Sequence, residues 1–315
     1  MQADLFIFTI ISFKRPILQF FFVILHLKNG IYSFLIVVFI KNLYFKMDTR
    51  IIILSDNRTV NPLLEVEHGL SVYMEYNGRK YLLDTGASDL FIRNAEKLGV
   101  NLCEVDYCLI SHGHNDHIGG LSVFLEMNHR AKIILSDEIP GAEYASVRRY
   151  HHSITGNVDF QKYHQRFIFI HEDTFVDGIH IYTHLAHHHA KPLGDRTLLI
   201  KTDNGEYVGD DFSHELAFVI GDVLFTGCAH HGILNILESI QELIRLSIGG
   251  FHLLDSHLSE YYETDEQLQE IASELANRYP DVVFYTGHCT GEHCFEVLSR
   301  EKGLRIHQFH VGKMC

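Results

Sequence analysis

The residues with the clearest chemical potential lie between positions 112 and 117, where the sequence reads His-Gly-His-Asn-Asp-His. Neutral imidazole nitrogens and carboxylate oxygens are ligands that zinc, iron and manganese accept readily in proteins. Because alternate residues of such a segment face the same way, His112 and His114 can reach one ion, while Asp116 and His117 can reach another. The spacing therefore predicts a centre for two adjacent divalent metal ions.

Short regular elements are predicted on both sides of this turn. The apolar segment Asp106–Ile110 is typical of a buried strand that leads into it, and residues 118–127 have helical periodicity. Upstream, Ser71–Leu83 alternates around an Asn-Gly pair, which predicts a β-hairpin. The hairpin ends next to Asp84, and a helix is expected over Ser88–Leu98.

The C-terminal half of the chain predicts further strands and helices. The expected strands are Leu216–Ile220, Val223–Thr226, Phe251–Leu254 and Val282–Tyr285. The expected helices are Ile233–Arg245, Thr264–Arg278 and Gly291–Lys302. Between the two halves, residues 140–195 show no clear period and contain many histidines and tyrosines.

Composition excludes several classes of protein. With 315 residues, 46% of them hydrophobic and 21% charged, the chain is neither disordered nor fibrous. A formal net charge of -14 gives no electrostatic footprint for nucleic acid, so no nucleic-acid partner is expected. The six cysteines contain no Cys-x-x-Cys pair, which argues against a disulfide scaffold and predicts a cytoplasmic location.

Residues 1–46 differ from the rest, since they carry five Lys or Arg residues against one acidic residue and two apolar runs, Ile17–Leu27 and Ile31–Ile40. No small-x-small cleavage site follows these runs, which disfavours a signal peptide. One interpretation is a start-site artefact, with translation beginning at Met47. The other is a membrane anchor, and a membrane partner is expected only in that case.

The sequence resembles the metallo-β-lactamase-fold metallohydrolase superfamily. Leu82–Gly86 is similar to the first motif of that fold, and Ser111–Gly120 is similar to its metal-binding turn. Three later segments resemble one branch, named for a 7,8-dihydropterin-6-yl-methyl-4-(β-D-ribofuranosyl)aminobenzene 5′-phosphate synthase. These segments are Gly227–Asn235, Gly249–Leu253 and Gly287–Gly291. The resemblance extends from about residue 48 to residue 312.

This resemblance implies an α/β fold of the αββα type, a four-layer sandwich with the metal ions at one edge. Residues 47–315 would form the domain, with a substrate cap expected over 140–195. Two divalent ions, zinc in the first instance and iron or manganese as alternatives, would share a hydroxide that acts as the nucleophile. Within this scheme Asp116 would also orient the hydroxide, and Asp84 would support the turn by hydrogen bonding.

The resemblance also implies a ligand set. One ion would take His112 and His114, and the other would take Asp116, His117 and His288. The superfamily usually places a bridging Asp where this chain has Cys228, so either the Cys228 thiolate bridges the ions or no bridge exists. His230 is the preferred third imidazole of the first ion. The competing candidates are His184, His187, His188 and His189.

Several other polar residues keep two interpretations each. Residues 210–215 could support the site or form a solvated turn. His151 and His152, next to Arg148 and Arg149, could form an exposed face or a cap that grips a phosphate. His252 could line the pocket, or it could be a buried side chain that is hydrogen-bonded within the protein. Cys289 and Cys294 are expected to be small core residues.

Three functions are compatible with these residues. The favoured one is a metal-dependent hydrolase that uses a metal-bound hydroxide on a phosphoester or another anionic small molecule. The second is a dihydropterin-linked transferase, in which the metal ions would stabilise a departing pyrophosphate. The third is a metal-containing binding protein with little turnover, an alternative kept open by Cys228.

Overall fold

The computed structural model describes residues 49–257 and 260–315 together with three strands nearer the N-terminus. The chain divides into two compact units, Met1–Met47 and Asp48–Cys315. The described strands of the first unit form a small antiparallel sheet, β1 (Ser12–Arg15), β2 (Leu18–Val23) and β3 (Ile36–Val37). The start-site and anchor interpretations fall mainly on residues outside the described ones. None of the described helices is both long enough and apolar enough to cross a membrane.

A six-stranded sheet carries the metal-binding turn. Its strands are β4 (Arg50–Ser55), β5 (Ser71–Tyr76), β6 (Arg79–Leu83), β7 (Tyr107–Leu109), β8 (Lys132–Ser136) and β11 (Phe167–Ile170), in the order β11-β8-β7-β6-β5-β4. Strands β5 and β6 form the expected hairpin. From β6 to β11 all pairings are parallel, so these strands present their carboxyl ends at one edge.

A seven-stranded sheet lies in the second half of the chain. Its strands are β12 (Thr174–Val176), β13 (Ile179–Tyr182), β16 (Ala217–Ile220), β17 (Val223–Phe225), β18 (Leu246–Ile248), β19 (Val283–Thr286) and β20 (Arg305–Gln308), in chain order across the sheet. The pairings from β17 to β20 are parallel. The segments that follow β17 and β19 therefore leave the same edge.

Within the described residues, six α-helices cover the outer faces of the two large sheets. They are α1 (Leu90–Lys97), α2 (Asn115–Ile118), α3 (Leu121–Met127), α4 (Ile233–Ser239), α5 (Asp265–Arg278) and α6 (Glu292–Ser299). Short 3-10 helices occur at Leu102–Glu104, His164–Arg166 and Leu193–Thr197.

The alternation of apolar side chains along the strands builds three core layers. In β4, Ile52 and Leu54 pack with α1 to α3, whereas Ile51 and Ile53 face the seven-stranded sheet. The seven-stranded sheet packs its other face against α4, α5 and α6, through residues such as Val219. Apolar burial on both faces of each sheet drives this arrangement. The expected four-layer αββα sandwich is confirmed.

A separate four-stranded sheet occupies part of the stretch that was expected to be a cap. It consists of β9 (Tyr144–Ser146), β10 (His152–Ser153), β14 (Leu198–Lys201) and β15 (Tyr207–Gly209), in the order β10-β9-β14-β15. The cap boundaries 140–195 differ from these elements, because β11 to β13 belong to the two large sheets and β14 and β15 lie beyond residue 195. The small sheet touches the metal-binding turn directly, since the Asn115 amide donates to the Ile154 carbonyl at 2.7 Å.

Two expectations around β18 were wrong. The helix expected over Ile233–Arg245 ends at Ser239, and Leu246–Ile248 is a strand. The strand expected at Phe251–Leu254 is instead a loop. Gly249 explains why residues 251–254 do not form a strand. Its φ of 154° turns the chain out of the sheet after β18, and a Cβ there would lie 2.2 Å from the Thr226 hydroxyl.

The last residues of the chain pair with β4. The Ile53 amide donates to the Lys313 carbonyl at 3.1 Å, and the Gly312 amide donates to the Ile53 carbonyl at 2.9 Å. The Cys315 amide donates to the Ile51 carbonyl at 3.2 Å. The outer strand of the six-stranded sheet therefore receives its second row of backbone partners from the C-terminal residues.

Candidate metal centre

The seven residues expected to bind metal come together at one edge of the sandwich. The turn that contains His112 and His117 follows β7, Cys228 follows β17, and His288 follows β19. Because these strands are parallel within their sheets, their carboxyl ends deliver the side chains to a common place. Six of these seven residues are buried, and Asp116 is half-buried.

One side of the centre is formed by His112 and His230. The Ser111 hydroxyl donates to Asp84 and therefore accepts from His112 Nδ1 at 2.9 Å, while His230 Nδ1 lies 2.7 Å from Asp195 Oδ1. In both residues Nε2 is buried and has no hydrogen-bond partner. Burial lowers the pKa of both imidazoles well below the usual value, so each is neutral. In His112 the bond from Nδ1 to the Ser111 hydroxyl leaves the lone pair on Nε2.

His114 completes this side. Its Nε2 lies 3.4 Å from Asp210 Oδ2, which leaves Nδ1 as the ring nitrogen available to a ligand. The His114 ring centroid is 4.6 Å from that of His112 and 5.2 Å from that of His230. Three imidazoles therefore surround one small space, each with one nitrogen held by the protein.

The other side is formed by Asp116, His117 and His288. His117 Nδ1 lies 2.7 Å from Asp84 Oδ2, so it donates to that carboxylate and keeps its lone pair on Nε2. This nitrogen is 3.1 Å from His288 Nε2, and Asp116 Oδ2 is 3.3 Å from the same His288 atom. Burial raises the pKa of Asp116, but the opposing effect of His117 and His288 is larger. The pKa therefore lies well below its usual value, and the group is a carboxylate.

Cys228 lies between the two sides. Its Sγ falls within 4.8 Å of the donor atoms of His112 and His230, and equally within 4.8 Å of those of His117 and His288. The sulfur is 3.1 Å from His117 Nε2. Burial raises the pKa of the Cys228 thiol well above its usual value, so a thiolate here requires a bound cation. This position favours the bridging alternative over the alternative without a bridge.

The residues present fit a pair of divalent cations. Buried imidazole nitrogens without partners are costly unless something binds them, and those of His112 and His230 approach the Cys228 sulfur. The donor set of nitrogen, carboxylate oxygen and sulfur suits zinc or iron. The geometry thus brings together every residue that the sequence singled out as a ligand; their role in binding metal stays a prediction.

Asp84 is placed where the resemblance implies. It has no exposed surface, and its two carboxylate oxygens accept hydrogen bonds from the Ser111 amide at 2.8 Å and the Ser111 hydroxyl at 2.7 Å, besides His117. One carboxylate therefore fixes the orientation of imidazoles on both sides of the centre.

Other supporting residues were missed or left open. Asp210 bonds both His114 and His214, whose Nε2 lies 3.2 Å from Asp210 Oδ2, so this segment supports the site and is no solvated turn. Glu215 accepts the backbone amides of residues 230 and 231 at 2.7 and 2.8 Å, which holds the loop after β17. Asp195, the partner of His230, has no local sequence signal, since it lies far from the motifs in the chain.

Backbone strain is concentrated around the centre. Asp84, Ala229, His252 and His288 adopt left-handed conformations with φ of 52°, 57°, 49° and 52°. Residues with a side chain rarely do so, and each costs about 1 kcal/mol or more. Such strain persists only where surrounding contacts impose it. At Asp84 these contacts include the hydrogen bonds from Ser111, and at His288 they include the bond from its backbone amide to Asp56 at 2.7 Å.

The four histidines that the sequence offered as competing ligands contact other parts of the protein. His188 and His189 lie 2.8 and 3.0 Å from Glu238, and His184 lies 3.2 Å from Asp173, so these candidates are engaged away from the centre. His187 contacts the ring of His231 at 5.2 Å. The donor atoms that lie near the Cys228 sulfur in the described part of the chain include those of His112, His117, His230 and His288.

A cavity of about 270 Å³ opens directly on the centre. Asp116, Cys228 and His230 form part of its wall, and the small sheet supplies Arg148 and His152. His252 also lines the cavity, and both of its ring nitrogens are buried without a partner. Cys289 was expected to be a core residue, but it lines the cavity as well, whereas the buried Cys294 lies in the core with α5 and α6. The volume suits a small ligand.

Comparisons with known proteins agree with this description. Residues 64–192 match the family described as the metallo-beta-lactamase superfamily. A crystal structure of a metal-dependent hydrolase of the beta-lactamase superfamily superposes with a TM-score of 0.67 and 28% identity, covering 85% of this chain and 98% of the other.

Two relatives from Methanocaldococcus jannaschii align over most of their lengths. One is an uncharacterized protein, 26% identical over 272 residues, with 83% of this chain and 98% of the relative covered. The other is named 7,8-dihydropterin-6-methyl-4-(beta-D-ribofuranosyl)-aminobenzene-5'-phosphate synthase and is 25% identical over 270 residues, with 79% and 89% covered. Taken with the αββα architecture and the edge at which the motif residues meet, these similarities show that the chain has the metallo-β-lactamase fold.

Proposed function

We propose that this protein is a metal-dependent hydrolase that cleaves a phosphoester or another anionic small molecule. The observation that carries the proposal is the pair of buried Nε2 atoms of His112 and His230, which have no hydrogen-bond partner and lie near the Cys228 sulfur. His230 and Cys228 also form part of the wall of the cavity. The similarity to a metal-dependent hydrolase of the same superfamily supports it.

Two divalent ions fit the proposal, with zinc as the first candidate and iron or manganese as alternatives. His112, His114 and His230 would hold one ion, while Asp116, His117 and His288 would hold the other, with Cys228 between them. When bound, such ions lower the pKa of water and polarise a phosphoryl oxygen. A small anionic substrate is the expected partner.

The protein's own residues would orient the attacking water, hold the imidazoles in place and limit access of solvent. Asp116 is half-buried and lines the cavity, so its carboxylate can accept a hydrogen bond from the attacking water and orient it toward the substrate. Asp84 keeps His117 in the tautomer that a ligand needs, through the 2.7 Å bond to Nδ1. The closed packing of Tyr144 and Phe212 around His114 limits water access from behind.

A second candidate function is a dihydropterin-linked transferase, which the similarity to the named synthase favours. In that case the site would stabilise a departing pyrophosphate and exclude water from the acceptor. Incubation with a dihydropterin diphosphate and an aromatic amine acceptor separates the two reactions. A condensed product supports transfer, whereas release of phosphate without condensation supports hydrolysis.

A third candidate is a metal-containing binding protein with little turnover, because Cys228 occupies the position at which the superfamily usually has a bridging carboxylate. Tight binding of an anionic ligand by the metal-loaded protein without product formation would favour it over both enzymes.

The deciding experiment combines elemental analysis of the purified full chain with a substrate panel of phosphomonoesters, phosphodiesters and cyclic phosphates. Each assay is run with added zinc, manganese or iron(II). We expect about two ions per chain and turnover of at least one phosphoester class, which His117→Ala abolishes and the surface control His171→Ala retains. Absence of bound metal, or of turnover across the whole panel with every metal, would contradict the hydrolase proposal.

A further inference from the structure

The cavity over the metal centre has an uneven distribution of charge. Its described wall contains one carboxylate, Asp116, and one guanidinium, Arg148. Asp116 belongs to the turn after β7, whereas Arg148 lies just beyond β9 on the small sheet. The two charged groups are therefore carried by different parts of the fold, and only the carboxylate belongs to the centre itself.

Arg148 is unusual among the described arginines. Most of the others pair with carboxylates, as Arg58 does with Glu292 and Arg93 with Glu65. Arg148 has no carboxylate within salt-bridge distance among the described residues, and its backbone amide donates to the Ser146 hydroxyl at 3.2 Å. In a chain with 40 acidic residues, a half-buried guanidinium without an acidic partner is available for a ligand.

The backbone around Arg148 is well anchored. The Val147 amide donates to the Thr197 carbonyl at 2.8 Å, and Ser146 pairs with His152 across the β9–β10 hairpin. Arg149 completes the turn in a left-handed conformation with φ of 67°. A guanidinium on a fixed hairpin loses less freedom on binding than one on a loose loop.

The remaining wall of the cavity suits an organic linker. Ile154, Leu198 and Leu254 line it between polar groups, so an apolar portion of a ligand can lie against them. His152 lines the same wall, and its Nδ1 is 2.9 Å from the Tyr150 carbonyl, which leaves Nε2 for the cavity. A wall that combines apolar side chains with a few polar groups is typical of a site for a small organic ligand.

We propose that Arg148 binds a second oxyanion of the substrate, so that the preferred substrates are small organic phosphoesters with another phosphate or carboxylate group away from the scissile bond. The inference rests on the proposed hydrolase function and narrows its substrate class. A planar guanidinium contacts two oxygens of such a group at once, which gives both affinity and orientation.

The test measures binding of two inert probes to the metal-loaded full chain by calorimetry. Propylene bisphosphonate carries a phosphonate at each end of its carbon chain, and propylphosphonate carries only one. We expect the bisphosphonate to bind the wild-type protein roughly ten-fold more tightly or better, as a charge-assisted bidentate contact provides. Arg148→Met should remove most of that advantage, whereas Arg149→Met, which removes the same charge one residue away, should retain it.

Arg148→Lys should keep part of the advantage, because it keeps the charge but loses the fork geometry. Thermal unfolding of each variant checks that the fold is intact, and the Lys variant carries the test if the Met variant is unfolded. Equal binding of the two probes by the wild-type protein, or an equal loss in Arg149→Met, would overturn the inference.

The two proposals fail separately. If no phosphoester is turned over but the bisphosphonate keeps its Arg148-dependent advantage, the hydrolase proposal fails and the anion contact stands. If phosphoesters are hydrolysed and a second anionic group brings no advantage, the contact fails and the hydrolase proposal stands.

Discussion

The chain contains two segments with three closely spaced histidines each, and the two segments differ in their surroundings. In the turn at 112–117, His112 and His117 have no exposed surface. In the loop at 187–189, the His188 side chain is 77% exposed and that of His189 is 26% exposed. The turn follows a buried strand of the six-stranded sheet, whereas the loop contacts Glu238 of α4 at the surface.

The pattern of hydrogen bonds separates the groups further. Each histidine of the turn has one nitrogen on a separate support, namely Ser111, Asp210 or Asp84, and the other nitrogen faces a shared space. His188 and His189 instead converge on the same carboxylate, which Arg278 also contacts. A metal centre therefore depends on separate supports that leave lone pairs pointing inward, and histidine density alone does not produce one.

The largest expected effect comes from removing a histidine of each group. His112→Ala should lose at least one bound ion and reduce turnover by about 10³-fold, because several kcal/mol of electrostatic stabilisation depend on the metal. His188→Ala should retain the metal and remain within about two-fold of wild-type turnover, as expected of a surface substitution. Elemental analysis and initial rates measure both; metal loss in His188→Ala would erase the distinction between the groups.

A second substitution tests the atom between the two sides of the centre. Cys228→Ala should reduce the metal content toward one ion per chain and lower turnover by about 10²-fold, since removal of a bridging ligand weakens both ions. Cys103→Ala, which removes an exposed thiol, is the matched control. An unchanged metal stoichiometry in Cys228→Ala would count against its role as a ligand.

A third substitution tests the supports themselves. Asp84→Asn keeps the size of the side chain but removes the charge that holds His117 Nδ1–H, so metal affinity should fall by about 10–100-fold. Titration of the metal-free protein with a competing chelator measures this. Asp89→Asn removes a charge from the helix start nearby and should leave the affinity unchanged; equal losses in both variants would indicate a general charge effect.

The smallest expected effect concerns the surface group. Hydrogen bonds from His189, Arg278 and His188 lower the pKa of Glu238 from 4.5 to about 2. A carboxylate with a lowered pKa in the folded state stabilises the protein above its unfolded pKa, and this contribution is lost as pH falls from 4.5 to about 2. Glu238→Gln should therefore cost about 0.5 kcal/mol at neutral pH, an amount typical of an exposed cluster.

Thermal unfolding of Glu238→Gln, with Glu301→Gln as the charge-matched control, checks this contribution. The difference from wild type should be full at neutral pH and shrink in acid. A difference that grows as the pH falls would have the wrong sign and would refute the assignment.

The parts of the site that the sequence could predict are local. The metal-binding turn is a single segment between a buried strand and a helix, and the Ser71–Leu83 hairpin is likewise local. The helix expected from Thr264 also formed, with Thr264 and Gln267 in a reciprocal capping arrangement. Periodicity and turn residues suffice for such elements.

What could not be predicted depends on distant pairing. Asp195 meets His230 only after the chain has formed the small sheet and β16, and nothing near residue 195 resembles a motif. The small sheet was not predicted as a unit, because β9 pairs with β14, more than fifty residues later, and its strands are short. For Arg148 the sequence left two interpretations open, an exposed face and a cap that grips a phosphate, and the fold places it in the wall of the cavity.

The backbone pairing between β4 and the C-terminal residues has a consequence for biosynthesis. A ribosome releases the N-terminal side of the domain first, yet Ile51 and Ile53 acquire their outer partners only when residues 312–315 emerge. Until that moment one side of β4 is an open edge, which invites association with other nascent chains. The six-stranded sheet is therefore protected only after residues 312–315 have been made, so a chain truncated before residue 312 would expose an unpaired strand edge.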